Sequence, residues 1–141
     1  MSNPGLPYRQ KIEDNSGIPR LAQPGDGPVL NLKPTALTTV GAGTLLAALL
    51  TSGLLVRTGP TGAFADTIDT GANLDTAFPY MQVGDSISLW YICSVAFAAT
   101  ITAAAGVTLG SAAANNVIAA STGRMLVLRK TATATYVLYV V

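Results

Sequence analysis

Apolar and polar positions alternate most cleanly in SISLWYICS, residues 86–94. Ile87, Leu89, Tyr91 and Cys93 fall on one side, and Ser86, Ser88, Trp90, Ile92 and Ser94 on the other. A period of two sends successive side chains to opposite faces of a strand. TATYVLYVV repeats the pattern, with Tyr136, Leu138 and Val140 set against Val137, Tyr139 and Val141. Between these runs lie ATITA, GVTLG, NNVIAAS and RMLVLRK, with Gly106 marking a turn between the first two. Short apolar runs separated by glycine, asparagine and Ser/Thr turns predict a mainly β domain, an antiparallel β-sandwich or barrel-like fold. No strand–helix–strand rhythm is present, which argues against a doubly wound sheet.

Two short helices interrupt this pattern. In GTLLAALLTSG, Leu45, Leu46, Leu49 and Leu50 share one helical face, with Thr44 placed as N-cap and Gly53 as the residue just past the end. About two turns of helix are expected there. A second helix is expected after Asp69 or Thr70, running through Ala72, Leu74 and Phe78 until Pro79 stops it.

Residues 1–37 read differently. The first 34 residues hold six of the eight prolines and seven of the fifteen charged residues. Proline fixes φ and donates no backbone hydrogen bond, so this stretch forms neither a helix nor an inner strand. Isolated apolar anchors recur along it: Leu6, Tyr8, Ile12, Ile18, Leu21, Val29, Leu30 and Leu32. The spacing predicts an extended Pro-rich arm laid on another surface, with a disordered leader as the alternative. The chain thus divides into an arm at 1–37 and a β-rich domain at 38–141.

Charge sharpens the reading of that domain. It carries eight charged residues across 104 positions, and none lies between Asp85 and Arg124. Monomer surfaces ordinarily intersperse charges that keep them soluble and guard sheet edges. So bare a domain predicts an obligate homo-oligomer; the alternative, a very large monomer core, does not suit so short a chain. The net charge of +1 offers no field for nucleic acid. The uncharged run at 40–56 includes three glycines and ends at Arg57, and residues 1–37 precede it, so neither a membrane span nor a secretory leader is expected.

The chemistry on offer is sparse. There is no histidine, which removes the commonest general base and metal ligand together. Cys93, the single cysteine, lies in a strand-like apolar run and reads as a buried, inert thiol. The stretch LLVRTGPTGAFADTIDTGANLD, residues 54–75, is the most suggestive. Its GPTG lacks the lysine of a phosphate loop, and Pro60 removes an amide. Asp66, Asp69 and Asp75 do not keep calcium-loop spacing, and residues 38–141 contain no glutamate; a looser oxygen-ligand site shared between subunits is the only metal option left open. Asp66 and Asp69 are expected instead to cap turns and a helix start. Arg57, the only cation between Lys33 and Arg124, is expected to pair with one of them, within a chain or across a subunit seam. No catalytic residue, cofactor or metal is expected.

The order of these features resembles a known family. A leucine-rich helix leads into a strand ending at Arg57 and the GPTG turn, followed by the ADTIDT segment, VGDSISLWYICS, ATITAAAGVTLG and the closing STGRMLVLRKTATATYVLYVV. This succession, over about residues 38–141, is similar to that of the capsid decoration (cement) proteins of tailed bacteriophages. Asp69 is a departure, standing where proline is common in such proteins. The resemblance implies a β-rich homotrimer on the outer surface of the virion head, assembled in the host cytoplasm and stabilising contacts between major capsid protein subunits. It implies an ITAAAGVTL hairpin, and an arm that touches the capsid through Leu6, Tyr8, Arg9, Ile12, Ile18, Leu21, Val29, Leu30 and Leu32. Leu45, Leu49, Arg57, Asp66 and Asp69 are then the expected subunit-interface residues. A virion fibre or receptor-binding module, at a head fibre or tail tip, is the alternative; neither reading calls for nucleic acid or membrane.

Overall fold

The structure, a computed structural model, describes residues 11–13, 19–21 and 34–141. Residues 11–13 and 19–21 form a small unit of their own, in which β1 (Lys11–Glu13) pairs antiparallel with β2 (Pro19–Leu21). Pro19 is tolerated there because a two-stranded ladder has no inner strand.

The second unit spans Leu32–Val141, so its first strand lies before the expected boundary at residue 37. Its strands are β3 (Thr35–Leu37), β4 (Gly43–Leu45), β5 (Leu54–Arg57), β6 (Phe64–Ile68), β7 (Ser86–Cys93), β8 (Ala99–Thr102), β9 (Val107–Leu109), β10 (Val117–Ile118), β11 (Thr122–Ala132) and β12 (Thr135–Val140). Helices α1 (Ala47–Leu50) and α2 (Gly71–Ala77) and a 3-10 turn at Ala113–Asn116 complete it.

Six strands form one sheet in the order β3-β5-β7-β11-β12-β9, and four form another in the order β10-β8-β6-β4. From β3 to β11 the chain passes from one sheet to the other at every step. Strands two apart in sequence therefore become neighbours, and several run parallel: β3 with β5, β5 with β7, β4 with β6 and β6 with β8. The domain is mainly β, as its alternation predicts, but its sheets are mixed rather than antiparallel. The expected β8–β9 hairpin is absent, because β8 lies in the four-stranded sheet and β9 pairs parallel with β12 at the edge of the other. Among the described residues of this unit, β11–β12 is the one hairpin made by consecutive strands.

One core fills the space between the sheets. Leu89, Tyr91 and Cys93 of β7 and Tyr136, Leu138 and Val140 of β12 line one wall; Phe64 and Ile68 of β6, Ile101 and Ile118 line the other. In β7 and β12 the buried residues belong to one of the two alternating sets of each strand. Cys93 has no exposed surface, and its thiol lies 3.1 Å from the Phe97 carbonyl oxygen.

The helices differ in how well they follow their signals. α2 begins after Thr70, whose hydroxyl accepts the Asn73 amide at 3.2 Å, and stops at Phe78, before Pro79. α1 is a single turn, because Thr44 and Leu45 are drawn into β4 beside Thr67 and Ile68. Its N-cap is Leu46, whose side chain has no oxygen to offer. Gly53 takes the left-handed φ of 74° that returns the chain to β5.

Candidate functional site

Arg57 and Asp66 are the chemically loaded residues of the 54–75 stretch, and strand parity turns both inward. Arg57 shares the inner face of β5 with Leu55, while Asp66 lies between Phe64 and Ile68 on the inner face of β6. They meet across the core with Nε donating to Oδ2 at 2.9 Å. The Tyr91 hydroxyl donates to the same oxygen at 2.6 Å, and the Gly43 amide donates to Oδ1 at 2.8 Å. Arg57 Nη1 donates to the carbonyls of Leu37 (3.1 Å) and Thr39 (2.6 Å), and Nη2 to that of Gly41. The guanidinium also lies 4.9 Å from the centre of the Phe64 ring.

This arrangement is a closed network. A buried charge is tolerated only when paired and hydrogen-bonded, and both partners are saturated by groups of the same chain. Burial pushes the Tyr91 phenol well above its ordinary value, and the hydrogen bond to the Asp66 carboxylate raises it further. Arg57 and Asp66 have no exposed surface through which to touch a ligand.

The same burial corrects the expected subunit interface. Leu45, Arg57 and Asp66 are wholly enclosed by their own chain and present nothing to a neighbour. Asp69 is nearly enclosed, and Leu49 is half-buried. Asp66 caps no turn; it is a core ion-pair partner. Asp69 does cap: Oδ1 accepts the Thr70 amide at 2.8 Å and the Asn73 side chain at 2.7 Å. Its Oδ2 receives the Ala47 amide at 3.4 Å, supplying α1 with the acceptor that Leu46 lacks.

Asp75, on α2, forms a second cluster with the β11–β12 hairpin. Lys130 Nζ lies 2.8 Å from Oδ1, the Tyr136 hydroxyl donates to Oδ1 at 2.6 Å, and the Ala134 amide donates to Oδ2 at 2.7 Å. The Lys130 hydrogen bond, followed by those from Tyr136 and Ala134, holds the Asp75 carboxyl down at about 2. Burial and the Asp75 hydrogen bond raise the Tyr136 phenol. The clasp anchors Ala134, which sits at a φ of 49°, unusual for a residue with a β-carbon. Neither this cluster nor the Arg57 network was legible as a unit in the sequence, since β-register brings their members together from far apart.

The outer faces of the two sheets contrast sharply. On the four-stranded sheet the outward positions include Thr44, Thr67, Thr100 and Thr102, with Thr67 and Thr102 hydroxyls 2.8 Å apart. On the six-stranded sheet they are mostly apolar, with Ser86, Ser88 and Thr108 among them. Leu54, Trp90 and Met125 stand in register across β5, β7 and β11, and Val141 continues the row by exchanging two backbone hydrogen bonds with Met125. Val56 and Ile92 form the next row, and Val127 and Tyr139 another beside Ser88. Trp90 remains 47% exposed and Tyr139 37%. Arg129 is the one charged side chain among the outward positions of these strands, at the end where it pairs with Ser86 and Val137.

A shallow groove adjoins the Ser86 end of this face, lined by Phe78, Pro79, Met81, Asp85, Ser86 and Ile87 and by the 90% exposed Tyr80. Among the described residues no three potential ligands of the His, Cys, Asp and Glu types come together. No helix among them is long and apolar enough to cross a membrane, and the 40–56 run is divided between β4, α1 and β5. Of the proposed arm contacts, Ile12 and Leu21 lie in β1 and β2; Leu6, Tyr8, Arg9, Ile18, Val29, Leu30 and Leu32 lie outside the described residues. Comparison of the chain with family models, curated proteins and solved structures returned no match.

Proposed function

We propose that this chain is a capsid decoration protein of the tailed-bacteriophage type, a trimer on the outer surface of the assembled head that ties major capsid protein subunits together. The observation that carries the reading is the largely apolar outer face of the six-stranded sheet, whose one charged side chain, Arg129, lies at its end; it is a surface suited to adhesion, backed by a core in which Arg57 and Asp66 are paired. The order of sequence features from residue 38 onward supports it. The mechanism is linkage: a protein that binds the assembled shell more tightly than loose subunits shifts the equilibrium against disassembly. The proline-rich arm adds contacts over neighbouring capsid subunits, and its stiffness lowers the ordering entropy lost on docking.

Mixing the purified chain with assembled shells and with unassembled capsid subunits tests this reading. Saturable co-sedimentation with shells alone, and a raised shell melting temperature, are expected. Equal binding to loose subunits, or none to shells, overturns it.

A fibre or receptor-binding module is the second reading, favoured by exposed Tyr80 beside its groove, where a sugar ring could stack. Antibody that blocks adsorption without altering head stability would support it over the first.

A further inference from the structure

We propose that the outer face of the six-stranded sheet is the docking surface for a second copy of this same chain, with Trp90 at its centre. The inference rests on the self-association contained in the reading above and assigns it to a surface.

Three observations select the face and its occupant. The first is area. Six strands at the usual spacing, and a β7 of eight residues, make a face of roughly 600 Å². Set against an equal area of a neighbour's different surface, as the head-to-tail seam of a trimer requires, the total exceeds the roughly 1,000 Å² of buried surface that a specific interface needs. The second is charge. Residues 34–141 carry four Asp against three Arg and one Lys, so copies of this unit meet without net repulsion. Three of these charges are buried and Asp75 is paired with Lys130. Of the three that remain, exposed Asp85 and Arg129 lie near one end of the face, where Arg129 pairs in register with Ser86, so the rim there carries one charge of each sign; half-buried Arg124, opposite Tyr91 in register, is on the other side of β11. The third is the contrast between sheets. Threonine hydroxyls dominate the outer face of the four-stranded sheet, with Val117 exposed at its edge, whereas large apolar side chains dominate the six-stranded one. Trp90 and Tyr139 are the aromatic types that anchor interfaces.

Trp90 is the only tryptophan in the chain, which makes the proposal directly readable. On dilution, its emission is expected to shift to longer wavelength as the mass measured by light scattering falls to that of a monomer. Ser88→Arg places a charge on an exposed position of the same face and is expected to weaken self-association at least about 30-fold. Tyr139→Arg serves as a second variant should the first fail to fold, judged by circular dichroism. Thr100→Arg, on the outer face of the four-stranded sheet, should leave the mass unchanged. A wild-type chain that is monomeric at every concentration overturns the proposal, as does an oligomer indifferent to both face substitutions. Shell binding is scored separately: a monomer that still binds shells defeats this assignment alone, whereas self-association through Trp90 without shell binding upholds it and defeats the decoration reading.

Discussion

Arg57 and Asp66 close a salt bridge at 2.9 Å with neither side chain exposed, one on each of the two sheets. The pair joins the sheets in their interior, and through Leu37, Thr39 and Gly41 it also fixes the loop between β3 and β4. Removing one partner strands the other charge in the core. Arg57→Met or Asp66→Leu alone is expected to cost about 3–5 kcal/mol of unfolding free energy. The double substitution should cost less than the two losses added together. Denaturant titration of the four proteins in the cycle checks this.

Gly43 lies against the same pair. A β-carbon there would stand 2.9 Å from Asp66 Oδ1 and 3.2 Å from Arg57 Nη2. Gly43→Ala is expected to destabilise by about 1–3 kcal/mol through overpacking. In an Arg57→Met background, with Nη2 gone, the loss should shrink. Melting temperatures of the two backgrounds provide the comparison.

The Asp75 clasp carries a pH dependence. Its carboxyl is held at about 2 against an ordinary 3.8, so the folded state favours the ionised form. The resulting stabilisation is fully present above about pH 4 and is lost as pH falls through about 2. Urea midpoints of the wild type and Asp75→Asn should differ most near neutrality and converge over that window. A constant difference from pH 7 to pH 2 would contradict the assignment.

Cys93 should be silent toward thiol reagents in the native state. It has no exposed surface and sits on the inner face of a central strand. Its labelling is expected to require global unfolding, so the protection free energy should match that from denaturant titration. Labelling much faster than this would show a local opening of β7.

How far the sequence revealed this fold depended on the kind of signal. Periodicity says which residues of a strand share a face, and β7 and β12 each bury one of their two alternating sets; in β12, apolar on both sides, it does not say which. Caps and breakers placed α2 between Thr70 and Pro79. Neither signal says which strand lies beside which. The consecutive runs ATITA and GVTLG therefore looked like a hairpin, although the chain crosses between sheets there. The leucines at 45, 46, 49 and 50 fit a helical face, but pairing of Gly43–Leu45 with Asp66–Ile68 took half of that pattern for a strand. Arg57 was legible as a lone cation in need of an acid. That it would be enclosed with Asp66, Tyr91 and Gly43, rather than set at a subunit seam, depends on inter-sheet register that no local pattern encodes.

The most direct test of the proposed role is a density map of the intact particle carrying this chain. The account predicts trimers on the outer surface of the head at junctions between capsid subunits, with residues 1–37 reaching over neighbouring subunits. Density for the chain confined to the tail tip or to a fibre, with the head surface bare, would contradict it.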